Sequence, residues 1–325
     1  MVKKVLLSLL IVVLVLMAGF AGFTQMAPAQ ATALAIQAER RASGLSEQVV
    51  TVGGYRWHLL TGGPEDDPTP LVLIHGFGGD KDNWTRVVRS LPKTQRVIIP
   101  DLIGFGDSDK PGIEAGYTIV EQMGRLHSLL SQLGLTRFYL GGNSMGGWIA
   151  SAYAKSFPEE VIGVWLLAPA GIAGASKSEM VEHLEAGGRL PLVVRSRADF
   201  DERLAWVFGH APPLPGFVRN TLAERAAANA DLHEQIRKQL SGVSPSQEDL
   251  LGSPLPLPAL IVWGEADRVL HPSGAEILAP YYNSNGTAVI KLPQVGHLPM
   301  TEAPARCAAD YLAWRALLDR WNVGK

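Results

Sequence analysis

Short apolar runs alternate with helix-length segments along most of the chain. Each run is flanked by polar or glycine-rich turns, a pattern that is typical of buried parallel strands. The predicted strands are residues 71–74, 97–99, 138–140, 161–167, 260–263 and 288–292. Helical segments separate them, as at residues 119–133, and a last helix is predicted over about residues 304–321. The alternation predicts an α/β fold built on a mostly parallel, doubly wound sheet.

A glycine pair near the start of this pattern predicts a hairpin. Residues 49–52 and 55–60 are strand-like, and Gly53-Gly54 stands between them. Two glycines between two strand-like segments favour a tight β-turn. We therefore expect the first pair of strands to be antiparallel.

One interval interrupts the alternation. Between residues 168 and 258 the sequence shows helical segments with proline-rich joints, at residues 177–186, 198–208 and 215–240. A segment of this length with its own helices predicts an inserted helical cap, or lid, over residues 171–257. The α/β core is then divided into a first part, residues 48–170, and a second part, residues 258–325. Most apolar cap side chains are expected to pack onto the core, and the candidates for substrate contact are Trp206, Phe208 and Phe217.

The N-terminal segment, residues 1–29, contains a long apolar run. From residue 5 to residue 23 the only polar side chain is Ser8. About 20 apolar residues cross a bilayer, whereas a cleaved signal peptide needs only about 7 to 15. The length therefore favours a transmembrane anchor, followed by a helical linker over residues 30–47. The small residues at 27–29 and 31–33 keep a cleaved signal segment, and a secreted protein, as the alternative.

Two lysines indicate how such an anchor is oriented. Lys3 and Lys4 precede the apolar run, and basic residues tend to stay on the cytoplasmic side. The catalytic part is therefore expected outside the cytoplasm, on the periplasmic side if the source is bacterial.

Composition narrows the classes of function. The 325 residues are 47% hydrophobic and 18% charged, which indicates a folded chain. The net charge is −2, and without Lys3 and Lys4 the chain has 27 basic and 31 acidic side chains. Such a chain offers no basic surface for nucleic acid. The one cysteine, Cys307, excludes an intrachain disulfide and a thiolate metal cluster, and its helical spacing with Tyr311 and Trp314 predicts a core position.

The sequence Gly142-Asn143-Ser144-Met145-Gly146 carries the clearest chemical signal. It follows a predicted strand and precedes a helical run, which is the context required of a G-x-S-x-G nucleophile elbow. The sharp turn needs small neighbours around a strained serine, and Gly142 and Gly146 supply them. Ser144 is therefore the candidate nucleophile.

A serine nucleophile requires a base that is held in place by an acid. His297, in a loop after the last strand, is the candidate base. Three other histidines that follow Ser144 lie in the cap, and His271 is only four residues from the candidate acid. That acid is Asp267, which follows the strand at residues 260–263. Glu265 is chemically able to serve as well, but a solvated loop position is more typical of such a carboxylate.

Ester hydrolysis also needs two amide donors for the oxyanion. The loop His75-Gly76-Phe77-Gly78-Gly79 follows the strand at residues 71–74. The candidate donors are the backbone N–H groups of Phe77 and Met145. His75 is interpreted as a structural residue that braces this loop.

These motifs together resemble the α/β-hydrolase superfamily. HGFGGDKDNW, DLIGFGDSDKP, GNSMGG, WGEADRV and VGH occur in this order between residues 71 and 297. With the apolar N-terminal run, the pieces LLAPAGI and IVWGEADRVLHPSGAE are similar to the membrane-anchored monoacylglycerol lipase-like branch and related bacterial lipases and esterases. The resemblance implies a Ser144–Asp267–His297 triad with Phe77 and Met145 at the oxyanion positions. It also implies that Asp101 and the loop at residues 104–108 are structural.

Two alternative functions agree with parts of this sequence. The elbow also resembles that of hydrolases that cleave carbon–carbon bonds in ring-fission (meta-cleavage) products, but those enzymes tend to have a serine in the oxyanion loop and an aromatic residue after the histidine. Here the loop has no serine, and Leu298 follows His297. A catalytically inactive binding protein would not require all of these groups together.

The sequence therefore predicts a membrane-associated serine hydrolase of carboxylic esters with apolar acyl chains, most plausibly monoacylglycerols or similar lipid esters. No cofactor and no metal are implied. The expected partners are the ester substrate and, through residues 5–23, a membrane. The oligomeric state is not predicted.

Overall fold

A single eight-stranded sheet organises the computed structural model, which describes residues 2–282 and 285–322. The predicted segments 1–29 and 258–325 thus contain residues that lie outside this description, namely 1, 283–284 and 323–325. The strands are β1 (Ser46–Val52), β2 (Tyr55–Gly62), β3 (Leu71–Ile74), β4 (Val97–Pro100), β5 (Phe138–Asn143), β6 (Val161–Leu167), β7 (Ala259–Gly264) and β8 (Ala288–Leu292). Their spatial order is β1-β2-β4-β3-β5-β6-β7-β8.

The sheet is antiparallel at one end and parallel elsewhere. β1 pairs with β2, and β2 with β4, in antiparallel register, whereas every pair in the run β4-β3-β5-β6-β7-β8 is parallel. Gly53 and Gly54 have φ of 60° and 82° in the turn between β1 and β2, a conformation that favours glycine. The predicted antiparallel hairpin and the mostly parallel sheet are confirmed.

Helices cover both faces of the sheet. They are α1 (Val2–Met26), α2 (Pro28–Ala42), α3 (Thr85–Arg89), α4 (Ile119–Gln132), α5 (Met145–Ser156), α6 (Glu179–Glu185), α7 (Arg197–Val207), α8 (Gly216–Ala227), α9 (Ala230–Val243), α10 (Gln247–Leu251), α11 (Gly274–Leu278), α12 (Pro299–Glu302) and α13 (Pro304–Asn322). Three short 3₁₀ helices lie at Lys81–Trp84, Ile113–Ala115 and Ala279–Tyr281.

Alternate residues of the central strands face the two helical layers. In β3, Val72 and Ile74 join the layer that contains α4 and α5, whereas Leu71 and Leu73 join the layer that contains α3 and α13. Both sets are fully buried, which explains why these strands have continuous apolar sequences. Cys307 lies in the second layer and is buried, as its spacing predicts.

Within the described residues, five helices, α6 to α10, lie between β6 and β7. The interval without a predicted strand is therefore helical. The segment predicted as one helix over residues 215–240 is two helices, α8 and α9, separated at residues 228–229. α10 was not predicted from the sequence.

The N-terminal helices precede the sheet. Among residues 2–282 and 285–322, no helix is both long and apolar enough to cross a membrane, and the anchor predicted over residues 5–23 stays a prediction. α2 packs against α8, where Ala31 and Thr32 are buried and the Thr32 hydroxyl donates to the Phe217 carbonyl at 3.4 Å.

Candidate active site

Ser144 lies between β5 and α5 with a strained backbone. Its φ is 54° and its ψ is −120°, which a non-glycine residue rarely adopts. The turn depends on close backbone approach, because a Cβ on Gly142 would lie 2.2 Å from the Gly146 carbonyl oxygen. A Cβ on Gly146 would lie 2.3 Å from the Ile74 carbonyl oxygen. These contacts agree with the elbow predicted from the two glycines.

His297 and Asp267 form a buried hydrogen-bonded pair. The His297 Nδ1 lies 2.8 Å from the Asp267 Oδ2, and their side chains are 4% and 0% exposed. The other carboxylate oxygen of Asp267 accepts from the backbone N–H groups of Val269 and Leu270 at 2.8 and 3.0 Å. The indole N–H of Trp263 donates to Asp267 Oδ2 at 3.1 Å. Four donors therefore fix the orientation of this carboxylate.

The elbow and the histidine loop are connected by Asn143. Its side-chain nitrogen donates to the carbonyl oxygens of Leu167 and His297, each at 3.0 Å. Asn143 is buried, so both hydrogen bonds are shielded from water. Sequence reasoning did not identify a role for Asn143, because the motif leaves this position unspecified. The contact places the main chain of His297 beside Ser144.

The loop that follows β3 lies against the elbow. A Cβ on Gly76 would approach the Ser144 Cβ at 3.0 Å, and the next residue, Phe77, lines the same cavity as Ser144. Met145 is the first residue of α5, where backbone N–H groups have no partner within the helix. The structure thus brings both predicted amide donors to the neighbourhood of Ser144.

His75 braces this loop from inside. Its Nδ1 lies 2.8 Å from the Gly76 carbonyl oxygen, and its Nε2 accepts from the Leu102 N–H at 3.0 Å. This pattern requires a neutral ring with the proton on Nδ1. Complete burial agrees with it, since burial lowers the pKa of His75 to about 4. The interpretation of His75 as a structural residue is confirmed by these hydrogen bonds.

A cavity of about 310 Å³ contains both Ser144 and His297 in its lining. One part of the lining is apolar and comes from the segment between β6 and β7. It includes Leu192, Phe200, Leu204, Val207, Phe208 and Leu214. Another part is polar and includes Glu39, Asn83, Arg86, Arg225 and Asn229. The cavity therefore suits a molecule with an apolar part and a polar part.

The three aromatic candidates for substrate contact have different surroundings. Phe208 lines the cavity. Among the described residues that line it, Trp206 and Phe217 do not appear. The Arg268 guanidinium lies 4.4 Å from the centre of the Trp206 ring, and Phe217 makes an edge contact with Phe20 of α1. A contact of Trp206 or Phe217 with substrate stays a prediction.

Arg203 brings a positive charge to the oxyanion loop. This residue of α7 lines the cavity, and its Nη1 donates to the Gly78 carbonyl oxygen at 3.3 Å. Burial lowers the pKa of Arg203 to about 10 and raises the pKa of nearby Asp80 to about 6. The Asp80 carboxylate partly offsets the lowering of the Arg203 pKa, and Arg203 stays protonated at neutral pH. The sequence gives no signal for this contact, since α7 and the loop are more than 100 residues apart.

Asp101 is part of a buried ion-pair cluster. Its carboxylate lies 2.6 Å from the Lys81 Nζ and accepts backbone N–H groups of Lys81 and Asp107. These contacts fix the loop at residues 104–108 against the 3₁₀ helix after the oxyanion loop. The structural role expected for both is consistent with this geometry.

One group of side chains could offer three ligand atoms to a metal ion. Among the described residues, Glu47, His58 and Asp107 have ligand atoms within 4.8 Å of one another. The Lys81 Nζ, however, lies 3.6 Å from Glu47 and 2.6 Å from Asp107. Arg40 adds a second positive charge 2.8 Å from Glu47. These cations already neutralise the carboxylates, so the group is better described as an ion-pair cluster.

Comparisons with known proteins agree with this geometry. The family described as alpha/beta hydrolase fold matches residues 69–304. Lipase 1 of Psychrobacter immobilis is 36% identical over 287 residues, which are 87% of this chain and 88% of that protein. Monoacylglycerol lipase abhd6-A of Xenopus laevis is 28% identical over 288 residues, or 84% of each chain.

A solved structure is similar over almost the whole chain. It is described as a membrane phospholipase A and a bacterial virulence factor, with 39% sequence identity and a TM-score of 0.85. The similarity covers 98% of this chain and 99% of that one.

Proposed function

The chain belongs to the alpha/beta hydrolase fold family, and from that premise we propose that it is a serine hydrolase of carboxylic esters that acts through Ser144, His297 and Asp267. One observation carries the proposal. The buried His297–Asp267 hydrogen bond lies beside a serine on a strained strand-to-helix turn, and Ser144 and His297 share one cavity. This combination is the arrangement that activates a serine hydroxyl.

In the first half of the reaction an acyl-enzyme forms. His297 Nε2 takes the proton of the Ser144 hydroxyl as the oxygen attacks the ester carbonyl carbon. Asp267 accepts a hydrogen bond from the Nδ1–H group of His297 and stabilises the imidazolium. The backbone N–H groups of Phe77 and Met145 stabilise the oxyanion. The imidazolium then protonates the leaving alcohol as its bond to the acyl carbon breaks.

In the second half water releases the acid. His297 takes a proton from water while the water oxygen attacks the acyl carbon, and the same two amides stabilise the second oxyanion. The bond to Ser144 Oγ breaks, and His297 returns the proton to that oxygen. The free carboxylic acid leaves, and the enzyme is restored with no other reactant consumed.

The lining of the cavity supports lipid esters as the substrate class. Apolar side chains between β6 and β7 suit an acyl chain, and the polar side chains suit an alcohol part with hydrogen-bonding groups. The names of the similar proteins, a lipase and a monoacylglycerol lipase, point in the same direction. We infer that monoacylglycerols or similar lipid esters are the substrates.

Residues 5–23 are proposed to hold the protein at a membrane with the catalytic part outside the cytoplasm. The support is the apolar run after Lys3 and Lys4. Fractionation of cells that express the full chain tests this placement. Recovery of the uncleaved protein in the soluble fraction would contradict it.

The test of the reaction compares the full-length wild type with Ser144→Ala in detergent. Hydrolysis is measured on esters from acetyl to palmitoyl and on a monoacylglycerol. The variant is expected to lose several orders of magnitude in kcat, because removal of a serine nucleophile leaves only residual catalysis. Ser128→Ala, which changes an exposed serine of α4, is the matched control and should retain wild-type activity.

Two outcomes would contradict the proposal. If Ser144→Ala kept more than a few per cent of the wild-type rate, Ser144 would not be the nucleophile. If the folded wild type hydrolysed none of the esters, carbon–carbon bond hydrolysis would be tested next. A rate that peaks at medium or long acyl chains is the result expected for a lipid esterase.

A further inference from the structure

Glu302, the last residue of α12, joins two segments that are distant in sequence. Its Oε2 accepts the backbone N–H groups of Gly209 and His210 at 2.9 and 3.0 Å. Its Oε1 accepts the N–H of Gly296 at 2.9 Å. The first two residues follow α7, and Gly296 immediately precedes His297. One carboxylate therefore holds the end of α7 and the histidine loop together.

The two segments are also in direct backbone contact. The His297 N–H donates to the Val207 carbonyl at 2.8 Å. A Cβ on Gly296 would lie 2.4 Å from the Gly209 nitrogen, and a Cβ on Gly209 would lie 2.4 Å from the Gln294 carbonyl oxygen. The two segments are thus so close that a small displacement of one moves the other.

The contacts of Glu302 suit a carboxylate and no other common group. Three N–H donors converge on two oxygens that can only accept, and hydrogen bonds to a charged acceptor are stronger than neutral ones. Among the described residues, no lysine, arginine or histidine side chain forms an ion pair with Glu302. Its half-buried charge is therefore balanced by backbone amides.

We propose that Glu302 is a positioning residue for ester hydrolysis, which holds the loop at residues 294–297 against the end of α7 and so fixes the main chain of His297. The inference rests on the proposed role of His297 as the base. Asp267 fixes only the Nδ1 side of the His297 ring. The position of that ring between Ser144 and Asp267 depends on the main chain of His297.

Contacts from three directions hold that main chain. Asn143 donates to the His297 carbonyl from the elbow, the Val207 carbonyl accepts its N–H, and Glu302 fixes the preceding amide. Without the Glu302 contacts, the main chain of His297 would be held from only two of these three directions. A misplacement of a reacting group by about 1 Å can cost about 100-fold in rate, so the effect is expected in kcat.

The test uses the full-length chain with Glu302→Gln, which keeps the size of the side chain. A carboxamide has one oxygen and one NH₂ group, so at least one backbone N–H of the three faces another donor. Glu159→Gln, at an exposed position after α5, is the matched control. Three quantities are measured for each protein: the rate of Ser144 labelling by a fluorophosphonate, kcat and KM on a soluble ester, and Tm.

The expected result is a loss confined to the chemical step. In Glu302→Gln the labelling rate and kcat should fall about 10- to 100-fold, while KM stays within about twofold and Tm falls by only a few degrees. Glu159→Gln should match the wild type. If Glu302→Gln does not fold, Glu302→Asp is compared instead, because its shorter carboxylate cannot reach both segments, and the same split between kcat and KM is expected.

The outcomes separate this inference from the proposed function. Wild-type protein that fails to react with the fluorophosphonate would overturn the serine hydrolase itself. If the wild type reacts with the fluorophosphonate and a folded Glu302 variant is labelled at the same rate, only the positioning role of Glu302 is overturned. A loss of activity that merely follows the fraction unfolded, or a change in KM alone, would also overturn it.

Discussion

At Ser144 a strained backbone coincides with the side chain proposed as the nucleophile. Its φ of 54° places the side chain at the tip of a sharp turn, and such a conformation persists only where the surroundings enforce it. Gly142 and Gly146 allow the backbone approach that holds it. Because this geometry restricts the neighbours so strongly, the sequence pattern alone was sufficient to predict the position.

The choice between Asp267 and Glu265 as the acid is settled by a substitution at each. Asp267→Asn is expected to lower kcat on a soluble ester by about 10³- to 10⁴-fold, because an amide in this place favours the wrong tautomer of the histidine. Glu265→Gln is expected to change kcat by less than about twofold, since its exposed side chain resembles other solvated carboxylates. Steady-state kinetics of both variants measure the difference.

Circular dichroism of the two acid variants provides the control for folding. If the Glu265→Gln protein is folded but shows the large loss of kcat, and the Asp267→Asn protein is active, then Glu265 and not Asp267 is the acid. Equal small effects would mean that neither carboxylate orients His297.

Other residues of the site could not be predicted, and the reason is physical. Asn143 and Glu302 act through hydrogen bonds to backbone groups that are distant in sequence, such as the carbonyl of His297 and the N–H of Gly209. A backbone group has no sequence signal of its own. Motif spacing therefore points to the candidate reacting side chains and misses the residues that hold the backbone around them.

The elements were predicted with unequal success for a related reason. The strands β3, β6 and β8 have the predicted bounds. In β3 and most of β6, burial on both faces produces a continuous apolar run, whereas β8 lies at the edge of the sheet and is only partly buried. Between β6 and β7 the helices are short and pack against a cavity as well as the core. In α7 and α8 the apolar positions follow no single helical stripe, whereas α9 is amphipathic, and the break between α8 and α9 was missed.

At the level of elements, Arg203 connects α7 to the oxyanion loop. The contribution of this contact to activity can be tested by substitution. Arg203→Met keeps a long side chain but removes the hydrogen bond to the Gly78 carbonyl. The loop that carries the Phe77 amide then loses a contact, and kcat/KM on a soluble ester is expected to fall about 10-fold, in line with the loss of one charged hydrogen bond. Arg197, also in α7, pairs with Asp201 alone among the described residues, near the surface, so Arg197→Met should have little effect.

The same two arginine variants separate catalysis from stability when Tm is measured beside kcat/KM. Equal activity in Arg203→Met and Arg197→Met would show that the oxyanion loop keeps its shape without α7. A fall in Tm with no fall in kcat/KM would assign Arg203 to stability alone.

At the level of the whole molecule, α2 is built into the catalytic part. Arg40 forms two hydrogen bonds of 2.6 Å with Asp82, which lies in the 3₁₀ helix after the oxyanion loop. Arg86 of α3 contacts Glu39 at 3.2 Å, and Ile36 and Glu39 line the cavity. α2 is therefore part of the folded unit, and we expect that unit to begin near residue 27.

Two deletions distinguish this boundary from one at the start of the sheet. Removal of residues 1–26 keeps α2 and is expected to leave kcat on a soluble ester within about twofold of the full chain, because none of the described residues among them lines the cavity. Removal of residues 1–43 takes away Arg40, whose side chain is 11% exposed, and with it the ion pair to Asp82, whereas Glu47 keeps its contact with Lys81. The loss of the partner of a partly buried carboxylate costs about 1 to 3 kcal/mol, so urea unfolding should report at least that decrease in stability, together with lower activity. Arg40→Met in the full chain is the matched control and should reproduce much of the decrease. Equal stability of the two deletion variants would show that α2 is only a linker.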